Sequence, residues 1–131
     1  DWSKDIFELG IFSNDARIIS FTSEGNKKAW QNYGAVSVAK AALESIMRNM
    51  ALEFAPFGIK SNCIEVGITD TAAFKMIPGS DELRGHALLR NPFKRLTTPK
   101  DVANVVYLLL KEEAAWINGA IIPVNGGEHL N

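Results

Sequence analysis

The segment NYGAVSVAKAALES, Asn32 to Ser45, places a tyrosine, Tyr33, seven residues before a lysine, Lys40. Those two residue types can do chemistry together. A tyrosine hydroxyl donates a hydrogen bond or proton to a carbonyl oxygen that is gaining negative charge, and a nearby ammonium favours the charged forms of both. An ammonium carries three donors and can also grip a ribose diol. On a helix, seven residues make about two turns and roughly 10 Å of rise, with both side chains near one face. A tyrosine placed just before the helix can fold its ring back towards the lysine. Ser23, ten residues upstream, adds a third hydroxyl. On spacing alone the plainer alternative is favoured: a boundary tyrosine and a solvated helix lysine.

Other reactive side chains carry bland readings. Tyr107 lies in the apolar run VVYLLL and reads as core, so there is no second candidate for the acid. Cys63, inside NCIEV, reads as a small buried hydrophobe. His86 and His129 are isolated, with no third ligand at metal-binding spacing, so no metal is expected. Asp81 and Glu82 read as a helix start, and Met47 and Met50 as core or a subunit contact.

The elements that must position Tyr33, Lys40 and Ser23 follow from periodicity. Trp2, Ile6, Leu9 and Phe12 fall at helical spacing. ARIISFT, 16–22, is short, apolar and β-branched, and predicts a buried strand. A polar loop then leads into a helix from Gly34 to Phe54, with Val36, Ala39, Leu43, Ile46, Met47, Met50 and Phe54 as its apolar stripe. Pro56 and Gly58 end it. A second strand, 59–66, closes at Gly67. Residues 68–97 are irregular, with a short helix around 81–90. Thr98 and Pro99 open a third long helix, with Asp101 at its positive end, and 119–127 is a third strand. Strands alternating with crossover helices form a parallel α/β sheet with helices on both faces. In such sheets ligands bind beyond the carboxyl ends of the strands, here 22–25, 66–71 and 125–127.

Composition bounds the function classes. The 131 residues carry a net charge of −1 and are 47% hydrophobic, which excludes a disordered chain and gives no reason to expect nucleic acid or an anionic membrane as partner. One cysteine excludes a disulfide framework and fits a reducing compartment. No apolar run is long enough to cross a bilayer. The charged start, DWSKDIFELGIF, is no signal peptide; it lacks a Met and begins within a helix, which suggests a piece of a longer chain.

Taken in order, RIISFTS, YGAVSVAKAALESIMRNMALEFAPFGIKSNCIEVGITDT, NPFKRLTTPKDVANVVYLLL and INGAIIPVNGG resemble the C-terminal half of a short-chain dehydrogenase/reductase, over about 16–127. Most of that family places tyrosine four before lysine; here that position is Val36, which cannot act as an acid. The seven-residue spacing, Gly25-x-x-x-Ala29-x-x-Asn32-Tyr33, and AKAALES resemble its enoyl-acyl-carrier-protein reductase branch. An enone is longer than a ketone, and the shifted tyrosine would reach the enolate oxygen.

The resemblance implies the C-terminal half of a Rossmann-like, doubly wound parallel sheet. It implies reduction of trans-2-enoyl thioesters by NADH or NADPH in fatty acid synthesis, by a cytoplasmic homodimer or homotetramer acting on acyl-carrier-protein- or CoA-linked substrates. Tyr33, Lys40 and Ser23 would be catalytic. Lys40, Gly67, Ile68, Thr69 and Thr71 would hold the cofactor. Residues 72–93 would form the substrate-binding loop, with Phe74, Met76, Ile77 and Leu83 lining an acyl channel. No glycine-rich phosphate loop occurs in 1–131, so this stretch alone is expected to bind the dinucleotide poorly and to be an inactive fragment. The alternatives are a carbonyl or 3-ketoacyl reductase or alcohol dehydrogenase of the same fold, and a non-catalytic member that binds a nucleotide or a protein.

Overall fold

The computed structural model describes residues 2–131. Its order is α1 (Trp2–Glu8), β1 (Arg17–Thr22), α2 (Gly34–Glu53), β2 (Lys60–Val66), α3 (Ala72–Lys75), α4 (Ser80–Arg90), α5 (Pro99–Leu109) and β3 (Ile121–Val124). The strands form one parallel sheet in the order β1-β2-β3. Thr22 pairs with Glu65, and Glu65 with Pro123, so the three carboxyl ends share one edge. Beyond that edge an isolated parallel bridge joins Thr69 to Thr97.

The sheet has one apolar face and one polar face. Ile64 anchors the apolar core with Leu109 and Ala114, against Ile19, Val66, Val102, Val106, Ile122 and Val124. This is the face α5 covers. Its first turn is fixed by a capping box: the Asp101 N–H donates to Thr98, and the Thr98 N–H donates to Asp101. Strand alternation turns Cys63 and Glu65 to the opposite face, under α2. Helices therefore cover both faces, as a doubly wound sheet requires.

Four details depart from the sequence reading. On α2 the predicted apolar stripe is only partly inward: Met47 is buried, but Val36, Ala39 and Ile46 are exposed. Ser37, Lys40 and Glu44 face inward near the helix start, because strand-end carbonyls and hydroxyls there need polar partners. Tyr107 is not core. Val102, Val106 and Leu109 occupy the inward face of α5, so Tyr107 is 59% exposed, with the Lys111 ammonium 4.0 Å above its ring. In α1, Phe7 is the anchor, stacked on Phe54 at 4.6 Å, while Trp2 and Leu9 are exposed. The third strand is shorter than 119–127, because Gly119 and the Gly126-Gly127 pair adopt left-handed conformations at its ends.

Candidate active site

β1 ends at Thr22, and the chain turns at once through Ser23 into a single 3-10 turn, Glu24–Asn26. Asn32 takes a left-handed conformation, φ 62°, which asparagine tolerates better than most residues. That bend delivers Tyr33 to the N-cap of α2 with its ring turned back over the 3-10 turn. The Ser23 and Tyr33 hydroxyls lie 3.3 Å apart. Lys40, two turns into α2, donates from Nζ to the Phe21 carbonyl at 2.9 Å, which uses one of its three donors. All three side chains line one cavity of about 470 Å³.

Gly25 makes this arrangement possible. A β-carbon there would stand 2.2 Å from Tyr33 Cε1. The Ser37 hydroxyl donates to the Gly25 carbonyl, tying the turn to α2. A second tie is a buried carboxylate. Glu44 Oε1 accepts from Thr22 Oγ1 at 2.7 Å and from Asn26 Nδ2 at 2.5 Å. Glu44 thus holds the residues on both sides of the Ser23–Gly25 turn. Sequence reasoning missed it, although its position one turn beyond Lys40 on the same helix face was a signal.

The end of β2 supplies the opposite wall. Gly67, Ile68, Thr69 and Thr71 line the cavity, as do Phe74, Ile77 and Leu83. Met76 is not brought to it; as the C-cap of the short α3 it is 84% exposed. Gly67 has a packing reason to be glycine: a β-carbon would meet Thr97 Oγ1 at 2.4 Å and Asn125 Cβ at 2.8 Å. Thr69 donates its hydroxyl to the Gly67 carbonyl at 2.9 Å, and Thr71 caps α3 by accepting from the Phe74 N–H. Trp30, Val36 and the charged Glu24 also line it.

Charges gather behind the turn. Burial raises the Glu24 carboxyl, but the Arg90 guanidinium, bonded to both its oxygens, outweighs this and holds it below its ordinary value. Glu128 is buried and its carboxylate oxygens have no well-aligned hydrogen bond; burial first, and Glu24 second, push its carboxyl up, outweighing the Arg90 charge and the Ile68 backbone. Cys63 is fully buried, and burial raises its thiol, so it is no nucleophile at neutral pH. His86 and His129 are exposed, and no metal-binding cluster exists among the described residues.

Comparison with known proteins agrees with this architecture. A family model described as enoyl-(acyl carrier protein) reductase matches residues 5–129. The chain is 34% identical over 120 residues to 1-cyclohexenylcarbonyl-CoA reductase of Streptomyces collinus, covering 89% of the chain and 42% of that protein. The crystal structure of the NADH-type enoyl-[acyl-carrier-protein] reductase of Aquifex aeolicus superposes with a TM-score of 0.88 at 30% identity, over 96% of this chain and 50% of that one. LugOII, a promiscuous reductase that catalyses keto-reduction in lugdunomycin biosynthesis, superposes with a TM-score of 0.82 at 32% identity, over 99% of this chain and 51% of that one. The chain thus spans about half the length of these relatives. It belongs to the enoyl-(acyl carrier protein) reductase family of short-chain dehydrogenases/reductases, as a stretch from the C-terminal half of the fold.

Proposed function

We propose that the full-length protein is an NAD(P)H-dependent reductase of trans-2-enoyl thioesters, carried by an acyl-carrier protein or CoA, acting in fatty acid synthesis. The observation that carries the reading is the Ser23–Tyr33 hydroxyl pair at 3.3 Å, on the cavity that Lys40 also lines. The donor set fits a nicotinamide riboside: hydroxyls at Ser23, Tyr33, Thr69 and Thr71 and the Lys40 ammonium share the cavity with Thr22, Glu24 and a largely apolar wall. When bound, the reduced nicotinamide supplies the hydride that goes to the substrate β-carbon.

The chain's own residues do the rest. Tyr33 hydrogen-bonds the thioester oxygen as it gains charge, with Ser23 orienting the phenol. Lys40 grips the ribose and stabilises the charged forms around it. Gly67, Ile68, Thr69 and Thr71 hold the carboxamide end. Residues 72–93 form the substrate-binding loop, and Phe74, Ile77 and Leu83 provide an apolar wall for the acyl chain, excluding water. The exposed Val38 and Ile46 on α2 suit a subunit interface of a homodimer or homotetramer.

A second reading is keto-reduction. Two converging hydroxyls suit a ketone oxygen as well, and LugOII performs that reaction. Turnover of the full-length protein decides between them. Both reduced nicotinamides are offered with a trans-2-enoyl thioester and, separately, a 3-ketoacyl thioester. Oxidation with the enoyl substrate supports the first reading and fixes the cofactor. Oxidation with the ketone alone overturns it in favour of the second.

A further inference from the structure

α4 presents Leu83, His86 and Arg90 towards the loop that carries Ser23 and Tyr33. Leu83 lines the cavity. The His86 ring lies 6.1 Å from that of Trp30, three residues before Tyr33. Arg90, at the end of the helix, makes the strongest tie: Nη1 and Nη2 donate to the two oxygens of Glu24 at 2.7 and 2.6 Å. The pair is shielded, with side chains 15% and 13% exposed. Arg90 also donates to the Glu128 carbonyl and, through Nε, to the Asn131 carbonyl, both at 2.9 Å. Asn131 returns a bond to the Arg90 carbonyl at 3.0 Å. Lys28 approaches Glu24 at 3.4 Å and donates to the Asn131 carbonyl.

Glu24 directly follows Ser23 and opens the turn against which Tyr33 rests. One guanidinium therefore joins three separate pieces of chain: the catalytic turn, the end of α4 and the C-terminal residues. A planar fork with both carboxylate oxygens engaged fixes direction as well as distance. The turn is held to α2 by Glu44 and Ser37, and the end of α4 to the end of β3 by Asn91 donating to the Asn125 carbonyl; the Arg90–Glu24 pair is the ion pair that joins α4 to the turn directly.

We propose that Arg90, acting through Glu24, is a positioning residue that holds α4, and with it the Leu83 wall of the cavity, in register with Ser23 and Tyr33. The inference rests on reading that cavity as the acyl-substrate site. Arg90 touches no reacting atom in this scheme. It sets how far the acyl wall stands from the acid.

The test uses the full-length protein and the variants R90K, R90M and E24M/R90M. R90M strands a shielded carboxylate and is expected to destabilise the fold, whereas the double variant replaces the pair by apolar side chains of similar length and restores stability. In the double variant, kcat/KM for the thioester is expected to fall about tenfold, with the nicotinamide KM within about twofold of wild type. Amide hydrogens of 80–90 are expected to exchange about tenfold faster, with those of 60–66 unchanged. R90K keeps the charge but not the fork and falls between. Wild-type exchange and kinetics in the double variant would overturn the proposal and leave the pair a stabilising contact only. If only the 3-ketoacyl thioester is turned over, the enoyl reading fails while Arg90 is judged on the ketone kinetics. With neither substrate turned over, the exchange of 80–90 decides alone.

Discussion

The ring of Tyr33 occupies the space that a side chain at Gly25 would need, with Cε1 only 2.2 Å from the position of a β-carbon there. Gly25 is buried and its carbonyl is held by Ser37, so the turn cannot retreat from an added methyl. The ring must move instead. Gly25→Ala is expected to fold and to lower kcat by about a hundredfold, since displacements of about 1 Å at a reacting group carry losses of that order. Steady-state kinetics beside a circular dichroism melt measures it. A variant with wild-type kcat would mean that the ring's position does not matter.

Tyr33→Phe keeps the ring on Gly25 and removes only the hydroxyl. Turnover is expected to drop between about a hundredfold and ten-thousandfold, the range for removal of a positioned acid. The melting temperature should hold, because the hydroxyl's partner within the chain is the half-exposed Ser23 at a long 3.3 Å. Ser23→Ala should cost less than Tyr33→Phe. The reverse order would give the leading role to serine.

Glu44 makes a sharper stability case. One oxygen accepts from both Thr22 and Asn26, and the side chain is 5% exposed. Glu44→Gln keeps an accepting oxygen and is expected to be mild. Glu44→Ala leaves the buried Thr22 hydroxyl and the part-buried Asn26 amide without this partner, a cost of about 1–3 kcal/mol for the buried group and less for the other, and frees the turn that carries Ser23. Urea unfolding of the two variants separates these outcomes. Equal loss in both would show that charge, and not the accepting oxygen, is what the turn requires.

Glu128 predicts a pH dependence of opposite sign to the usual carboxylate. Its folded-state pKa is raised, so the folded chain holds the proton more tightly than the unfolded chain does. The resulting stability is fully present below the ordinary carboxylate value and is lost as pH rises through the raised one. Glu128→Gln should therefore melt a few degrees higher than wild type at neutral pH and match it more nearly in acid. Melting curves between pH 4 and 8 check this. A variant that is less stable at neutral pH would mean that the ionised group finds a compensating partner.

Sequence periodicity located every strand and long helix, because alternation and cap residues are local signals. Thr98, Pro99 and Asp101 announce α5 without reference to anything else. The inward face of α2 was less legible. Val36 and Ile46 suggested an apolar stripe, but the sheet beneath the start of that helix is polar, a fact that depends on which way Thr22 and Glu65 turn. Tyr107 was misread for a related reason: a run of six apolar residues does not say which of them faces the sheet. The cavity residues gathered where parallel-sheet topology directs, except Met76, whose placement depends on the short α3. The Arg90–Glu24 pair spans 66 positions and left no local trace.

The same crossover topology has a kinetic side. Ser20 and its neighbour Asn62 are 42 positions apart, and Asn62 and Ala120 are 58 apart. No strand of this sheet can pair with the next one in sequence without an intervening helix or longer connection. During synthesis, at about 5–20 residues per second, β1 therefore waits roughly two to eight seconds for its partner to emerge. Contacts of such long range also make chain closure slow. The edge of β1 that β2 will occupy stays unfilled for that interval, so the cavity wall at 67–71 can close over Ser23 only after that delay, and the order of synthesis sets when the site can assemble.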